Sequence, residues 1–151
     1  MKRLLLTLTA VAGLATALPA AAQFQKPEDA VKYRESAMTV MANHFGRIGA
    51  MVNGRVPYDA GQAMSNAEIV AVMSKLPFAG FIDGTPGTKK GSASPKIWSD
   101  RAGFDGKAKK MQDEVAKLVV AARANNLDPL KAAFGEVGKA CKSCHDDFRN
   151  P

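Results

Sequence analysis

The sequence predicts an all-α fold, an antiparallel up-down-up-down four-helix bundle, on three observations. Apolar residues recur in steps of three and four through most of the chain, which is the seam of a bundle helix. No stretch reads as the apolar–polar alternation of a half-buried strand. The links after the first and third helical stretches are short, which favours antiparallel neighbours. The length agrees, since 151 residues suit one domain with a real core. A chain that is 46% hydrophobic and 23% charged is globular, so disorder and collagen-like structure are excluded. Two cysteines are too few for a disulfide scaffold.

Residues 1–22 read as a secretory signal peptide. Lys2 and Arg3 precede an apolar stretch, and Ala20, Ala21 and Ala22 offer a small-residue cleavage site. The apolar run is short for a membrane anchor, and Pro19 lies near its end. The expected domain is 23–151, exported to a periplasm, with no membrane insertion after the leader is removed. Loss of Lys2 and Arg3 lowers the formal charge from +7 to +5.

The first helix is expected over 27–52, with Pro27 at its first position and Glu28 and Asp29 at the positive end of its dipole. Its stripe is Val31, Arg34, Met38, Met41, Phe45, Ile48 and Val52. The second is expected over 59–76, with Met64, Val72, Met73 and Leu76 in the core. A long Gly-rich link, 77–94, follows; Phe78, Phe81 and Ile82 make its first part too apolar for a free linker. The third is expected over 95–124, with Ile97, Arg101, Phe104, Ala108, Met111, Val115, Leu118 and Ala122 inward. The fourth opens with Asp128 as N-cap and Pro129 at the first helical position. Its stripe is Leu130, Phe134, Val137, Cys141, Cys144 and Phe148.

Cys141, Lys142, Ser143, Cys144 and His145 form C-x-x-C-H, which in an exported protein reads as the attachment site of haem c, one per chain. Two thiols one helical turn apart reach the two vinyl groups of one porphyrin. The adjoining imidazole then reaches the iron as its metal ligand. With both cysteines on the inner stripe, the haem is placed in the bundle near the C-terminal end of the last helix. A dithiol redox pair is the rival reading, but that chemistry favours a helix N-terminus beside a βαβ unit. A zinc site needs more ligands than these two cysteines and the chain's two histidines readily supply.

On this motif, its C-terminal placement and the first-helix pattern, the sequence resembles the class II cytochromes c, above all the cytochrome c′ group. The likeness extends to the segments 23–30, 43–47, 57–60 and 95–100. It implies a periplasmic homodimer with haem ligated by one protein residue, His145. An apolar side chain closes the opposite face, and the ligands are the small diatomic gases nitric oxide and carbon monoxide. It also implies electron exchange with an unidentified redox partner, and no enzyme activity.

The remaining site residues follow from position and resemblance together. Arg34 lies in the seam, where a charge is costly unless paired; a haem propionate is the implied partner, and snorkelling to solvent is the alternative. Glu35 stands where relatives often carry Gln. Met38 holds the position facing the distal side of the haem. It either packs there without ligating or serves as a sixth iron ligand in a low-spin electron carrier. Arg149 is four residues after His145 and shares its helical face, so it is either a proximal-side neighbour of the imidazole or a solvated terminal arginine. His44 flanks the seam and suits a surface or dimer contact. Lys107, Lys109 and Lys110, with Lys89 and Lys90, read as a solvated face or as a docking surface for an acidic redox partner. No aromatic–basic pattern points to nucleic acid.

Overall fold

The computed structural model describes residues 23–151, so the expected leader lies outside the described residues. Four long helices form the bundle: α1 (Pro27–Val52), α2 (Ala60–Met73), α4 (Arg101–Arg123) and α5 (Leu127–Phe148). A short α3 (Lys96–Ser99) precedes α4, and a 3-10 turn (Pro77–Gly80) follows α2. α1 packs on α2 and α5, and α4 packs on α2 and α5. The ring of neighbours is that of the expected up-down-up-down bundle.

The bounds of α1 are those expected, with Pro27 in the first turn and Glu28 and Asp29 beside it. α2 begins where Asp59 accepts a hydrogen bond from Gln62 N at 2.8 Å. It ends at Met73, three residues earlier than expected, and Ser74 caps it. Its inner face is only partly the expected one: Met64 and Met73 pack against the main core as expected, but Val72 and Leu76 do not. Ala63, Asn66, Ala67 and Val70 are buried, while Val72 is 62% exposed and Leu76 38%. Polar and apolar residues are not segregated on α2, where Asn66 is buried while Ile69 and Val72 are exposed, so periodicity alone did not fix its inner face; the buried residues include the small Ala63 and Ala67.

The expected third helix is broken at Asp100. That residue leaves helical geometry (φ −130°, ψ 59°), and its carboxylate accepts a bond from Gly103 N to start α4 afresh. Arg101, expected inside, is exposed and pairs with Asp105 at 3.0 Å. The rest of the expected stripe, from Ile97 to Ala122, is buried. α5 starts two residues earlier than expected, because Asn126 and not Asp128 is the N-cap, accepting from Asp128 N at 3.0 Å. Pro129 therefore falls third in the helix, where a missing N–H is still free of cost.

The main core runs between the four long helices through Met41, Ile48, Val70, Met111, Val115, Leu118, Leu130 and Val137. A satellite core of Ile97, Phe104 and Phe148 lies at the C-terminal end of α5. One buried acid was not foreseen: Glu114 is 5% exposed and bonded to Lys110 Nζ at 2.6 Å and Lys117 Nζ at 3.0 Å. These two lysines hold its carboxyl below the usual range. A depressed pKa stabilises the fold above the ordinary value of about 4.3 and is lost as pH falls through the folded value. Glu114→Gln is therefore expected to lower the urea midpoint at about pH 7 and to leave it nearly unchanged near about pH 3.

Candidate haem site

A cavity of about 890 Å3 opens between α1, α4 and α5 at the end of the bundle where α5 terminates. It is within the range of small-molecule and cofactor sites, about 300–1,000 Å3. Met38, Met41, Phe45, Val70, Met111 and Val137 make its deep wall apolar. Cys141, Cys144 and His145 line it from α5, and both thiols are free.

The electrostatics of the three groups separate the readings of C-x-x-C-H. Burial pushes both thiols above their ordinary pKa, only partly opposed at Cys144 by Lys107. They also lie in the last turns of α5, at the negative end of its dipole. Both facts work against a low-pKa redox dithiol. Among the described residues no three His, Cys, Asp or Glu side chains converge on a metal position, so a zinc site does not assemble. His145 is held below its usual pKa first by desolvation against the cavity wall and then by the Arg149 charge, with Asp146 opposing. Its ring is thus kept in the neutral form that ligates metals.

Arg34 is 4% exposed and points into the link that follows α2. Its Nη1 donates to Gly80 O at 3.1 Å and to Thr85 Oγ1 at 2.8 Å, and its Nη2 donates to Thr85 O at 2.6 Å. The guanidinium also lies 4.7 Å from the centre of the Phe81 ring. Burial lowers its pKa and Glu35 opposes this. Gly80 makes the approach possible, since a β-carbon there would lie 2.6 Å from Ala30 O and 2.9 Å from Arg34 Cβ. The alternative of snorkelling to solvent is ruled out by this burial. The loop partners were not legible in the sequence, because backbone carbonyls leave no residue-type signal.

The link also covers the cavity. Phe78 and Phe81 line it, while Phe104 meets Phe81 at 4.9 Å and Phe148 at 5.5 Å between ring centres. Trp98 does not line it; its Nε1 donates to Ile82 O at 3.1 Å and fixes the link from behind. Gly91, Ser92 and Ala93 form the rim on the His145 side. Arg149 reaches the same rim and donates from Nε to Gly91 O at 2.7 Å. Glu35 is exposed at the mouth beside Arg34, and Met38 is half-buried in the wall. Lys107, from α4, also lines the cavity and bonds to Ser143 Oγ at 2.6 Å and to Asp147 Oδ2 at 2.8 Å. Residue type did not mark it out from the other lysines of its run. His44 is elsewhere: its Nδ1 lies 2.8 Å from Asn66 Oδ1, joining α1 to α2.

The family model described as Cytochrome C′ matches residues 29–149. The chain belongs to the cytochrome c′ family. A curated cytochrome c′ of Alcaligenes xylosoxydans xylosoxydans is 54% identical over 127 residues, covering 84% of this chain and 98% of that protein. A solved nitric oxide complex of a mutant of cytochrome c prime from Alcaligenes xylosoxidans superposes with TM-score 0.80 at 52% identity, over 85% of this chain and 99% of that one. A carbon monoxide-bound variant of that protein gives TM-score 0.80 at 52% identity, over 85% and 100%. Cytochrome c′ proteins carry haem c, and the thiols for its covalent attachment are present here as Cys141 and Cys144. The apolar cavity, the paired thiols and the neutral imidazole fit that group.

Thr85→Val removes one acceptor of a buried guanidinium. It is expected to cost about 1–3 kcal/mol in urea unfolding while leaving the helix content by circular dichroism unchanged.

Proposed function

We propose that this chain is an exported haem c protein that binds nitric oxide and carbon monoxide and exchanges electrons. The observation that carries the reading is the convergence of Cys141, Cys144 and His145 on one apolar cavity. Haem c supplies there an iron with one open coordination position for a neutral diatomic ligand. Cys141 and Cys144 fix it to α5, and His145 serves as its one protein ligand. Arg34 uses three of its five N–H donors on the link, so Nε–H and one Nη2–H remain for a propionate. Glu35 lies beside it at the mouth, and Arg149 stands at the rim next to the imidazole.

Met38 acts as a wall. It packs against the main core as well as the cavity, which suits space-filling by a flexible thioether. It must move aside before a ligand binds, and the surrounding Met41, Phe45 and Val70 offer that ligand no hydrogen bond. Small neutral gases are therefore favoured over polar or anionic ligands.

The leader and the lack of a membrane-crossing helix among the described residues support a periplasmic location. The exposed apolar side chains of Val40, Ile69, Val72 and Leu76, on α1, α2 and the residues just after α2, support a homodimer.

The visible spectrum tests the iron reading. The dithionite-reduced protein is expected to show one broad, unsplit band beyond the Soret. Sharp, separate α and β bands would make Met38 a sixth ligand and the protein a dedicated electron carrier. Met38→Ala is expected to speed carbon monoxide binding on the order of tenfold or more, as a barrier lowered by about 1.4 kcal/mol would do. Val72→Asp with Leu76→Glu is expected to convert a dimer to a monomer in sedimentation velocity.

A further inference from the structure

The formal charge of residues 23–151 is +5, and it is not spread evenly. Most charged side chains of α4 and α5 are cancelled locally. Lys107 pairs with Asp147, Lys109 with Asp113, Lys139 with Glu136 and Lys142 with Asp146. The segment 84–99 contains Lys89, Lys90 and Lys96 and no acidic residue. All three lysines are exposed and make no ion pair among the described residues.

These cations are held in one place by backbone pairing between the link and the C-terminal tail. Gly91 N donates to Asn150 O at 2.8 Å, Asn150 N to Ser92 O at 2.9 Å and Ser94 N to Phe148 O at 3.0 Å. Asn150 Nδ2 adds a bond to Gly87 O at 2.7 Å. Arg149 joins the cluster through Gly91 O, and Lys96 Nζ lies 5.1 Å from the centre of the Phe148 ring. Lys96 acts on the Asp147 carboxylate through space, but that carboxylate is bonded to Lys107. The result is four positive charges without an ion-pair partner among the described residues, on a braced rim beside His145, where Gly91, Ser92, Ala93 and Arg149 line the cavity mouth.

We propose that this rim, Lys89, Lys90, Lys96 and Arg149, is the docking surface for a one-electron redox protein with an acidic face. The inference rests on the haem reading above and adds where the electron enters. One electron passes between the partner's centre and the haem iron, and no atom is transferred. A braced rim presents its charge at little ordering cost, and charge complementarity raises encounter rates by about 10–1,000-fold. An acidic protein is favoured over a membrane surface because Arg149 lines the cavity mouth, the lysines lie on the segment that forms its rim, and no exposed large apolar side chain accompanies them for insertion.

The test uses the haem-loaded protein at low ionic strength, where charges act over about 30 Å. Ferricyanide is the anionic probe: it takes one electron from the ferrous protein, giving ferrocyanide and the ferric protein. K89E/K90E/K96E is expected to slow this step on the order of tenfold or more. The same variant is expected to oxidise faster with cationic cobalt tris(phenanthroline). The charge-matched R47E/R55E/K131E, changed away from the rim, alters the net charge equally and is expected to shift both rates much less than K89E/K90E/K96E does. Equal slowing in both variants, or none in either, would overturn the proposal.

A second readout does not depend on electron transfer. Poly-L-glutamate is expected to shift amide NMR signals of 87–96 and 148–150 in the wild type and to lose that effect in K89E/K90E/K96E. Shifts elsewhere, or none, count against the rim. Co-sedimentation with phosphatidylglycerol vesicles that depends on the three lysines, without a polyglutamate response, would assign the rim to membranes instead. A protein lacking a Soret band would remove the haem reading, and the polyglutamate titration would still judge the surface.

Discussion

A guanidinium cannot be buried without donors being met, and the Arg34 side chain organises one end of this bundle for that reason. Its three bonds to Gly80 and Thr85 turn an 18-residue link, 77–94, into a shaped cover. Phe81 lies over its charge, and Arg101, from α4, donates to Phe81 O at 3.2 Å. Remove the guanidinium and the link loses its side-chain bonds to α1, leaving Arg101, Trp98 and the packing of Phe81 on Phe104 to hold it over the cavity.

The two cores divide the labour of the molecule. The main core fills the middle and far end of the bundle with aliphatic and methionine side chains. The satellite core of Ile97, Phe104 and Phe148 seals the end where the chemistry sits. Between them lies the cavity, reached by α1 from one side and by the two thiols and the imidazole of α5 from the other. Both cores contribute to the cavity wall: Met41, Val70, Met111 and Val137 from the main core, and Phe104 and Phe148 from the satellite core, with Phe78 and Phe81 added by the link. The loops are where shape can change without dismantling a helix.

The helices that carry the site were legible because they obey one period and announce their ends. Pro27 with Glu28 and Asp29 marked α1, and the C-x-x-C-H spacing marked the thiols and imidazole of α5. α2 was partly misread because it buries a polar residue, Asn66, and turns apolar Ile69 and Val72 outward, which blurs its face in a periodicity analysis. Asp100 was missed as a helix breaker because a lone Asp inside an amphipathic run looks like an exposed helical residue until its side chain is seen capping Gly103. The partners of Arg34 were invisible for a different reason: two of the three acceptors are peptide carbonyls of a segment with no regular structure.

Gly80 has a wider effect than its size suggests. Its missing side chain lets the 3-10 turn sit directly on the backbone of α1 at Ala30 and Arg34. The first two turns of α1 are thereby wedged between the link and the bundle. Further along, Thr39, Ala42 and Gly46 are exposed and only their cavity side has neighbours. α1 is therefore clamped by backbone contact at its start and by side chains in its middle, where Phe45 stacks on Phe134 at 4.2 Å. Any widening of the cavity on the α1 side must come from rotamer changes of side chains such as Met38, half-buried between core and cavity, and not from sliding of the whole helix.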